Sequence, residues 1–412
     1  MILFLAPELP DPPNKGGSIR AFHVLRRLAR LAPAGVLVLA LAERAEEPPP
    51  VWRSLAQEVF LIPWRPRSLR TRLRQLFFSS RPDLAFRYRT PALVDALRRL
   101  LVQRSIRAIH IEGLEMAWAV EDLLDRPPGA RPMLVLDELN AEYRLQERLF
   151  QADRGDPRRW PGALYSGLQA RRLRRYEARI VRRVDRVIAV SEPDARDLEA
   201  LGTARPPVVA PNGVDTAFFH PEAVEPLPLG EPAFVFTGSM DYRPNVDAAR
   251  WLAEAIWPIV RCALPEARLY LVGRRPSPAV RRLQEIPGLH VVGEVPDVRP
   301  YLAGATVYVA PLRAGGGTRL KILEAMAMGK AIVSTPMGCD GLSVMDGEHV
   351  WLADGEAFAR AMITLAQDPS RRRALGEAAR RLAVARYDWE QTLAPLEALY
   401  RAEILGRTPR EP

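Results

Sequence analysis

Cysteine and histidine are scarce in this chain of 412 residues. The two cysteines, Cys262 and Cys339, are too few for a disulfide framework or a cysteine-rich metal site. The five histidines show no spacing of the His-Glu-x-x-His kind, so we expect no bound metal. Hydrophobic residues make up 48% and charged residues 26%, a balance that excludes a disordered or fibrous chain.

Long apolar runs are also lacking, because none approaches the roughly 18 residues that a membrane-spanning helix needs. The first ten residues, MILFLAPELP, contain no basic residue of the kind that begins a secretory signal. They predict a first strand, and we expect a cytoplasmic protein.

Positive charge is present in excess, and almost all of it lies in the first half. Residues 1–205 carry 36 Lys and Arg against 25 Asp and Glu, whereas the rest carries 23 against 24. Two stretches, Trp64–Arg107 and Arg158–Arg186, interleave Arg with Leu, Phe, Tyr or Trp. Such faces are typical of peripheral contact with the anionic inner face of a membrane, and equally of solvated helices. No nucleic-acid-binding motif is visible, so we expect no such partner.

Short apolar runs alternate with helical patterns, which predicts parallel sheets covered by helices on both faces. The expected strands are Ile2–Ala6, Gly35–Leu41, Ala108–Ile111, Met133–Leu136, Arg186–Val190, Ala233–Phe236, Arg268–Val272, His290–Val292, Thr306–Ala310 and Ala331–Ser334. The pattern restarts after the proline-rich stretch Pro221–Pro232. We therefore predict an α/β chain of two Rossmann-like, doubly wound domains that face each other across a cleft.

The expected divisions are an acceptor-binding domain at residues 1–212, a nucleotide-sugar-binding domain at residues 213–388 and a terminal helical segment, 389–412, that crosses back to the first domain. In doubly wound sheets the ligand binds beyond the carboxyl ends of the strands. The cleft between the two domains is therefore the expected site.

The most informative segment is APLRAGGGTRLKILEAMAM, residues Ala310–Met328, where a strand runs into three glycines and then a helix. Glycine lets backbone N–H groups approach a phosphate, and a helix N-terminus adds partial positive charge. Arg319 and Lys321 add two full charges at the same end. Glu324 follows one turn later, where its carboxylate can accept hydrogen bonds from paired hydroxyls such as those of ribose. The combination favours a nucleotide-diphosphate site over a simple tight turn.

The second half resembles the nucleotide-binding domain of the retaining GT-B glycosyltransferases known as glycosyl transferases group 1 or family 4. The similar stretches, in the family's order, are Ala210–Asp215, Phe236–Leu252, Ala267–Gly273, Val291–Arg313 and Gly316–Thr335. The resemblance implies a GT-B fold and a hexosyltransferase that uses a UDP- or GDP-sugar as co-substrate, without metal or other cofactor. It further implies transfer to a glycan or lipid-linked acceptor, in exopolysaccharide or cell-surface glycan synthesis.

The resemblance also assigns roles in the donor site. Glu324 corresponds to the second glutamate of the family's paired-glutamate motif, which binds the donor ribose. The position of the first glutamate is Gly316, where backbone N–H groups would substitute. The remaining residues expected around the donor are Gly238, Ser239, Gly273, Gly293, Val295, Gly317 and Thr318. Relatives place an Arg at the position of Ser239, so Arg319 and Lys321 would supply the charge that neutralises the leaving diphosphate.

The first half is similar to the family more loosely. Gly16 and Gly17 match the loop after the first strand that approaches the donor phosphate, although a plain turn is as good an interpretation. LDELNAEYRLQERL at Leu136–Leu149 resembles a family stretch with a histidine at the position of Leu139. Asp137 and Asn140 in this stretch are therefore candidate catalytic residues of the cleft, or else a strand end that caps a helix.

His110 is a further candidate catalytic residue. It follows a predicted strand, and Glu112 would point to the same face two residues later. A structural histidine is the more common interpretation of such a position.

Two other classes of function stay open. A GT-B protein that binds its ligand without turnover would fit the departures at Gly316, Ser239 and Leu139. Another nucleotide-sugar-modifying α/β enzyme, such as an epimerase or dehydrogenase, would need a Gly-x-Gly-x-x-Gly loop after its first strand. The corresponding loop of this chain has only Gly16 and Gly17.

Overall fold

A computed structural model describes residues 1–9, 16–32, 34–43, 47–154, 160–314 and 319–405. The chain forms two compact units. The first unit comprises Met1–Pro211 together with Leu393–Pro412, and the second comprises Asn212–Thr392. The second unit thus ends at Thr392, a few residues beyond the boundary expected from the sequence.

The first unit is built on a seven-stranded sheet in the order β3-β2-β1-β4-β5-β6-β7, and every neighbouring pair is parallel. Its strands are β1 (Ile2–Ala6), β2 (Val36–Ala42), β3 (Glu58–Pro63), β4 (Ala108–Glu112), β5 (Met133–Glu138), β6 (Arg186–Ala189) and β7 (Val208–Val209). Every residue of β1 and β4 is buried at the centre of the sheet, and β1 is accordingly apolar throughout. Strand β4 differs, because it buries His110 and Glu112 as well.

Helices cover this sheet. They are α1 (Gly16–Leu31), α2 (Pro50–Arg53), α3 (Leu69–Phe78), α4 (Pro91–Gln103), α5 (Glu121–Leu124), α6 (Glu142–Asp153), α7 (Trp160–Val181) and α8 (Glu192–Glu199). Leu25 and Leu28 of α1 and Leu93 and Leu97 of α4 are almost completely buried, since apolar residues at helical spacing form one face. The terminal helix of the chain packs in the same unit through its buried Tyr400.

The second unit contains a six-stranded parallel sheet in the order β10-β9-β8-β11-β12-β13. Its strands are β8 (Ala233–Thr237), β9 (Arg268–Val272), β10 (Leu289–Gly293), β11 (Val307–Ala310), β12 (Ile332–Ser334) and β13 (Trp351–Leu352). Its helices are α9 (Arg243–Trp251), α10 (Trp257–Ala263), α11 (Pro278–Arg281), α12 (Arg299–Gly304), α13 (Leu320–Ala327), α14 (Glu356–Gln367), α15 (Pro369–Leu382) and α16 (Trp389–Thr392). The helix that ends the first unit is then α17 (Ala394–Tyr400).

Both sheets reverse their strand order once. The reversal lies between β1 and β4 in the first unit and between β8 and β11 in the second. The loops that leave such a pair of strands diverge to opposite faces, which opens a crevice at the carboxyl edge where doubly wound proteins bind ligands. In the part of the chain that the structure describes, no helix has the length and apolar character needed to span a membrane.

Candidate functional site

Lys321 lies in the crevice of the second unit, in the first turn of α13, and reaches across to the loop that follows β8. Its Nζ donates a hydrogen bond to Asn245 Oδ1 at 2.7 Å and lies 4.8 Å from the centre of the Phe236 ring. The Nδ2 group of Asn245 donates in turn to the Ser239 carbonyl oxygen at 2.9 Å. These contacts place one ammonium group against the backbone of Gly238 and Ser239.

Two glycines let the loops after β8 and β9 touch. A Cβ atom on Gly273 would lie 1.8 Å from the Gly238 carbonyl oxygen, so only glycine fits there. A Cβ atom on Gly238 would lie 2.6 Å from Lys321 Nζ. Glycine is therefore required at both positions, at Gly273 for the contact between the two loops and at Gly238 for the approach of Lys321 to the backbone.

Arg274 is a second cation at this edge, and sequence reasoning missed it. It follows Gly273 at the end of β9, and its Nε donates to Ser239 Oγ at 3.0 Å. Arg274 therefore brings a guanidinium to Ser239 from the neighbouring strand. The signal in the sequence is an Arg directly after the strand that pairs with β8.

Arg319 and Glu324 flank Lys321 along the chain. Arg319 is 7% exposed, and its Nη2 donates to the Met337 carbonyl oxygen at 3.3 Å. Burial, reinforced by the charge of Arg319, lowers the pKa of Lys321 to about 7. Burial raises the pKa of Glu324 to about 7 against the opposing effect of Lys321. Such opposed shifts in one small region are typical of functional sites.

The other predicted donor residues lie at the same edge or outside the described chain. Gly293 ends β10, has a φ of 85°, and accepts a hydrogen bond from the Gly273 N–H at 2.8 Å. Val295, half-buried, packs against the apolar cluster under the sheet. The predicted residues Gly316, Gly317 and Thr318 lie outside the described residues.

The candidate residues Asp137 and His110 of the first unit prove to be fully buried, which corrects the expectation that they line an open cleft. Arg20 holds both Asp137 oxygens, through Nε at 3.0 and 3.1 Å and Nη2 at 2.8 Å. His110 shares a hydrogen bond with Tyr400, Nδ1 to OH at 2.9 Å, and stacks on Phe4. Although burial opposes it, the carboxylates of Asp137 and Glu112 raise the pKa of His110.

Asp137, His110 and Glu112 are also the group in the described chain that could hold a metal ion, since one ligand atom of each lies within 4.8 Å of the others. The guanidinium of Arg20 already engages both oxygens of Asp137, and a metal cation would face that charge. The donor set therefore fits a buried charge network better than a metal centre.

The remaining first-unit candidates lie near the carboxyl edge of the sheet. Gly16 is exposed and Gly17 half-buried in the first turn of α1. A Cβ atom on Gly17 would lie 3.1 Å from Leu139 Cδ1, so the leucine at the family's histidine position packs against this turn. Asn140 is half-buried, and its side chain forms a hydrogen bond with the Glu142 carboxylate.

Comparison of structures defines the class of fold. The chain superposes on the crystal structure of HepE from Anabaena in complex with UDP and glucose with a TM-score of 0.63, over 99% of both chains and at 16% identity. At that identity the likeness establishes the fold alone. Together with the two parallel sheets and their helices, it shows the GT-B fold.

Comparison of sequences defines the family. Residues 231–368 match the family model described as glycosyl transferases group 1, and residues 146–218 match that of glycosyltransferase family 4. The chain belongs to this family of glycosyltransferases.

Two relatives illustrate the match. The lipopolysaccharide core biosynthesis mannosyltransferase LpcC of Rhizobium leguminosarum is 30% identical over 259 residues, which cover 59% of this chain and 71% of the relative. The phosphatidyl-myo-inositol mannosyltransferase of Mycolicibacterium smegmatis is 32% identical over 241 residues, which cover 55% of this chain and 59% of the relative. The second match thus spans little more than half of that enzyme.

Proposed function

We propose that the chain transfers a sugar from a UDP- or GDP-sugar to a hydroxyl of a glycan or lipid-linked acceptor in cell-surface glycan synthesis, with retained anomeric configuration. The observation that carries this proposal is the position of Lys321 Nζ against Gly238, 2.7 Å from Asn245 Oδ1, at the strand-order reversal of the second sheet. The ammonium of Lys321 and the start of α13 converge there, and both favour a phosphate group.

In the proposed reaction, the bond between the sugar C1 and the diphosphate oxygen breaks while C1 bonds to the acceptor oxygen on the same face. Lys321, Arg319 and Arg274 neutralise the charge that develops on the leaving diphosphate. The departing phosphate oxygen takes the proton of the acceptor hydroxyl. This route needs no histidine at Leu139, and the buried network of His110 and Asp137 serves to hold the sheet edge in shape.

The names of the relatives support the acceptor class, since LpcC acts in lipopolysaccharide core synthesis and the mycobacterial enzyme is a phosphatidyl-myo-inositol mannosyltransferase. HepE, whose solved complex holds UDP and glucose, supports a nucleotide-sugar donor.

A thermal-shift panel of UDP, GDP and ADP with their sugars tests the donor. A ligand that binds the native state raises its apparent stability by about 2.7 kcal/mol at a hundredfold excess over Kd. We expect one base to stand out, and the corresponding sugar to be released or transferred. If no nucleotide shifts the unfolding temperature, the proposal fails.

One face of the first unit combines exposed apolar side chains with arginines, and this combination supports contact with an anionic membrane surface. Helix α3 buries none of its residues, and Leu69, Phe77 and Phe78 are 69%, 74% and 86% exposed. Helix α7 lies beside it, where Arg172 Nη2 donates to the Leu76 carbonyl oxygen at 2.9 Å. Exposed arginines at 70, 72 and 74 interleave the apolar residues of α3. Apolar side chains ringed by arginine suit a leaflet of anionic lipid.

Vesicle flotation tests this face. We expect binding to phosphatidylglycerol vesicles that weakens with salt and is absent with phosphatidylcholine alone. Replacing Phe77 and Phe78 with serine should remove most of the binding, whereas Val102→Ser, which alters another residue that is 89% exposed, should leave it unchanged. If vesicle binding is unchanged by salt and by the replacement of both phenylalanines, a membrane role for this face is excluded.

A further inference from the structure

Asn245, in the first turn of α9, connects two parts of the crevice of the second unit. It is only 6% exposed, and its amide forms a hydrogen bond at each end. Oδ1 accepts from Lys321 Nζ at 2.7 Å, and Nδ2 donates to the Ser239 carbonyl oxygen at 2.9 Å. The amide therefore links α13, which carries Lys321, to the loop that follows β8.

The Ser239 carbonyl fixes the orientation of the Asn245 amide. A backbone carbonyl can only accept a hydrogen bond, so the Nδ2 group must face Ser239. The Oδ1 atom is then the end that faces Lys321, whose ammonium can only donate. A flipped amide would place acceptor against acceptor at one end and donor against donor at the other. The backbone of the loop thus determines which atom Lys321 contacts.

Gly238 and Phe236 confine the same amine. A Cβ atom on Gly238 would lie 2.6 Å from Lys321 Nζ and 2.8 Å from Asn245 Nδ2, so the amine and the amide both pack against this glycine. The centre of the Phe236 ring lies 4.8 Å from Nζ. Nζ is therefore held in one place by a backbone, an amide and a ring.

The Asn245 amide holds Lys321 without neutralising its charge. Burial and the charge of Arg319 lower the pKa of Lys321 to about 7, whereas Glu324 opposes them. Arg274 adds a further cation at Ser239 on the neighbouring loop. The amide oxygen favours the protonated amine through a hydrogen bond and brings no negative charge of its own. A carboxylate in its place would cancel the charge of the amine and repel a diphosphate.

We propose that Asn245 is a positioning residue for donor binding, which fixes the Lys321 amine against the loop after β8 and leaves its charge available to the diphosphate. The inference rests on the proposed transferase function and adds a residue that acts through Lys321. Both properties of the side chain matter, since the acceptor oxygen holds the amine and the neutral amide preserves its charge.

Two variants of similar size test the proposal, because they change the pKa of Lys321 in opposite directions. Asn245→Asp places a carboxylate beside the amine and should raise its pKa by about 1–3 pH units. Asn245→Leu removes the acceptor and should lower the pKa, because the buried ammonium loses its hydrogen bond. Loss of a purely structural residue would not move the pKa in opposite directions.

Competitive labelling with acetic anhydride, followed by mass spectrometry of peptides, measures the pKa of each lysine without any ligand. The chain has only three lysines, so their peptides are easily assigned. Lys330, whose pKa is lowered to about 8, is an internal control and should keep its value in both variants. Asp247→Asn, which alters a half-exposed acid of α9 paired with Arg313, is the matched control and should leave the pKa of Lys321 unchanged.

Calorimetry then measures the binding of inorganic pyrophosphate at pH 7. We expect both Asn245 variants to bind it about tenfold or more weakly than the unmodified protein. In Asn245→Asp the carboxylate cancels the charge of the amine, and in Asn245→Leu the amine is less protonated and no longer held. Asp247→Asn should bind within about twofold of the unmodified protein.

The inference is overturned if the pKa of Lys321 is the same in both Asn245 variants as in the unmodified protein, or if both variants bind pyrophosphate as tightly as that protein does. If one variant unfolds, which a changed pKa of Lys330 would reveal, the other variant decides. These measurements use neither nucleotide nor sugar. Failure of the unmodified protein to bind any nucleotide sugar therefore refutes the proposed function separately.

Discussion

Arg20 and Asp137 form a bidentate ion pair in which neither side chain has any exposed surface. Arg20 also donates from Nη1 to the Ala210 carbonyl oxygen at 2.9 Å, next to the point where the chain leaves the first unit. The pair thus ties α1 and β5 to the residues that precede the second unit. Burial opposes ionisation, yet Arg20 keeps the pKa of Asp137 below its usual range.

Replacing Arg20 with methionine should lower the free energy of unfolding by about 3–5 kcal/mol, because a carboxylate is left buried without its partner. Urea unfolding followed by circular dichroism measures the loss. Arg250→Met, which breaks a half-exposed pair with Glu254, should cost no more than about 1 kcal/mol. Equal losses of unfolding free energy in the two variants would mean that the buried pair stabilises the protein no more than the half-exposed pair does.

Replacing Lys321 with methionine should weaken binding of the nucleoside diphosphate about 10- to 100-fold, since one charge-assisted contact to phosphate is lost. Lys330→Met is the matched control, because Lys330 donates to the Ala303 carbonyl oxygen at 2.9 Å away from the donor crevice. Titration calorimetry compares the two variants. A loss in both, or in neither, would refute the assignment of Lys321.

Binding of inorganic pyrophosphate should depend on pH through Lys321. Burial lowers the pKa of Lys321 to about 7, so its amine is about half protonated at neutral pH. The anion favours the protonated amine, so binding takes up protons and the affinity falls as pH rises above 7, by up to about tenfold per unit. Calorimetry in two buffers of different ionisation enthalpy measures the uptake. Pyrophosphate also exchanges protons of its own in this range, so the share of Lys321 is the difference in uptake between the unmodified protein and Lys321→Arg. Equal uptake by the two would assign the proton elsewhere.

Two neighbouring arginines provide a second matched test. Arg274→Ala should weaken diphosphate binding about 5- to 20-fold, because its guanidinium lies against Ser239 at the carboxyl edge. Arg275→Ala should change it less than about twofold, since Arg275 is exposed and lies 3.9 Å from Asp241. The reverse order of effects would place the phosphate outside the crevice of the second unit.

The central strands and the edge strand β10 could be predicted from the sequence, whereas the edge strands β3, β7 and β13 could not. Strands such as β1 and β8 are buried along their whole length and read as unbroken apolar runs. Glu58–Pro63, which forms the edge strand β3, is only partly buried and contains both Glu and Pro. Its pattern fits a loop as well as a strand, because among the described residues it pairs with β2 alone.

The donor site could be predicted only in part. Residues that follow adjacent parallel strands must meet at one edge, and this places Gly238 and Lys321 together. The reach of Arg274 depends on the contact between Gly273 and Gly238, which spacing along the chain does not encode. In the first unit, polar residues after strands suggested an open cleft. The buried face of α1, which includes Arg20 among apolar residues, is the signal that Asp137 would be paired internally.

Because lysine is scarce in this chain, Lys321 in the donor crevice can be labelled selectively. The chain has only three primary side-chain amines, at positions 15, 321 and 330, and its other basic side chains are guanidinium groups. The Lys321 amine, with a pKa of about 7, is a competent nucleophile at neutral pH. The Lys330 amine is less reactive there, because its pKa is lowered only to about 8. A nucleotide with an oxidised, dialdehyde ribose should therefore be captured as an imine at Lys321, which would turn reversible occupancy into a covalent label.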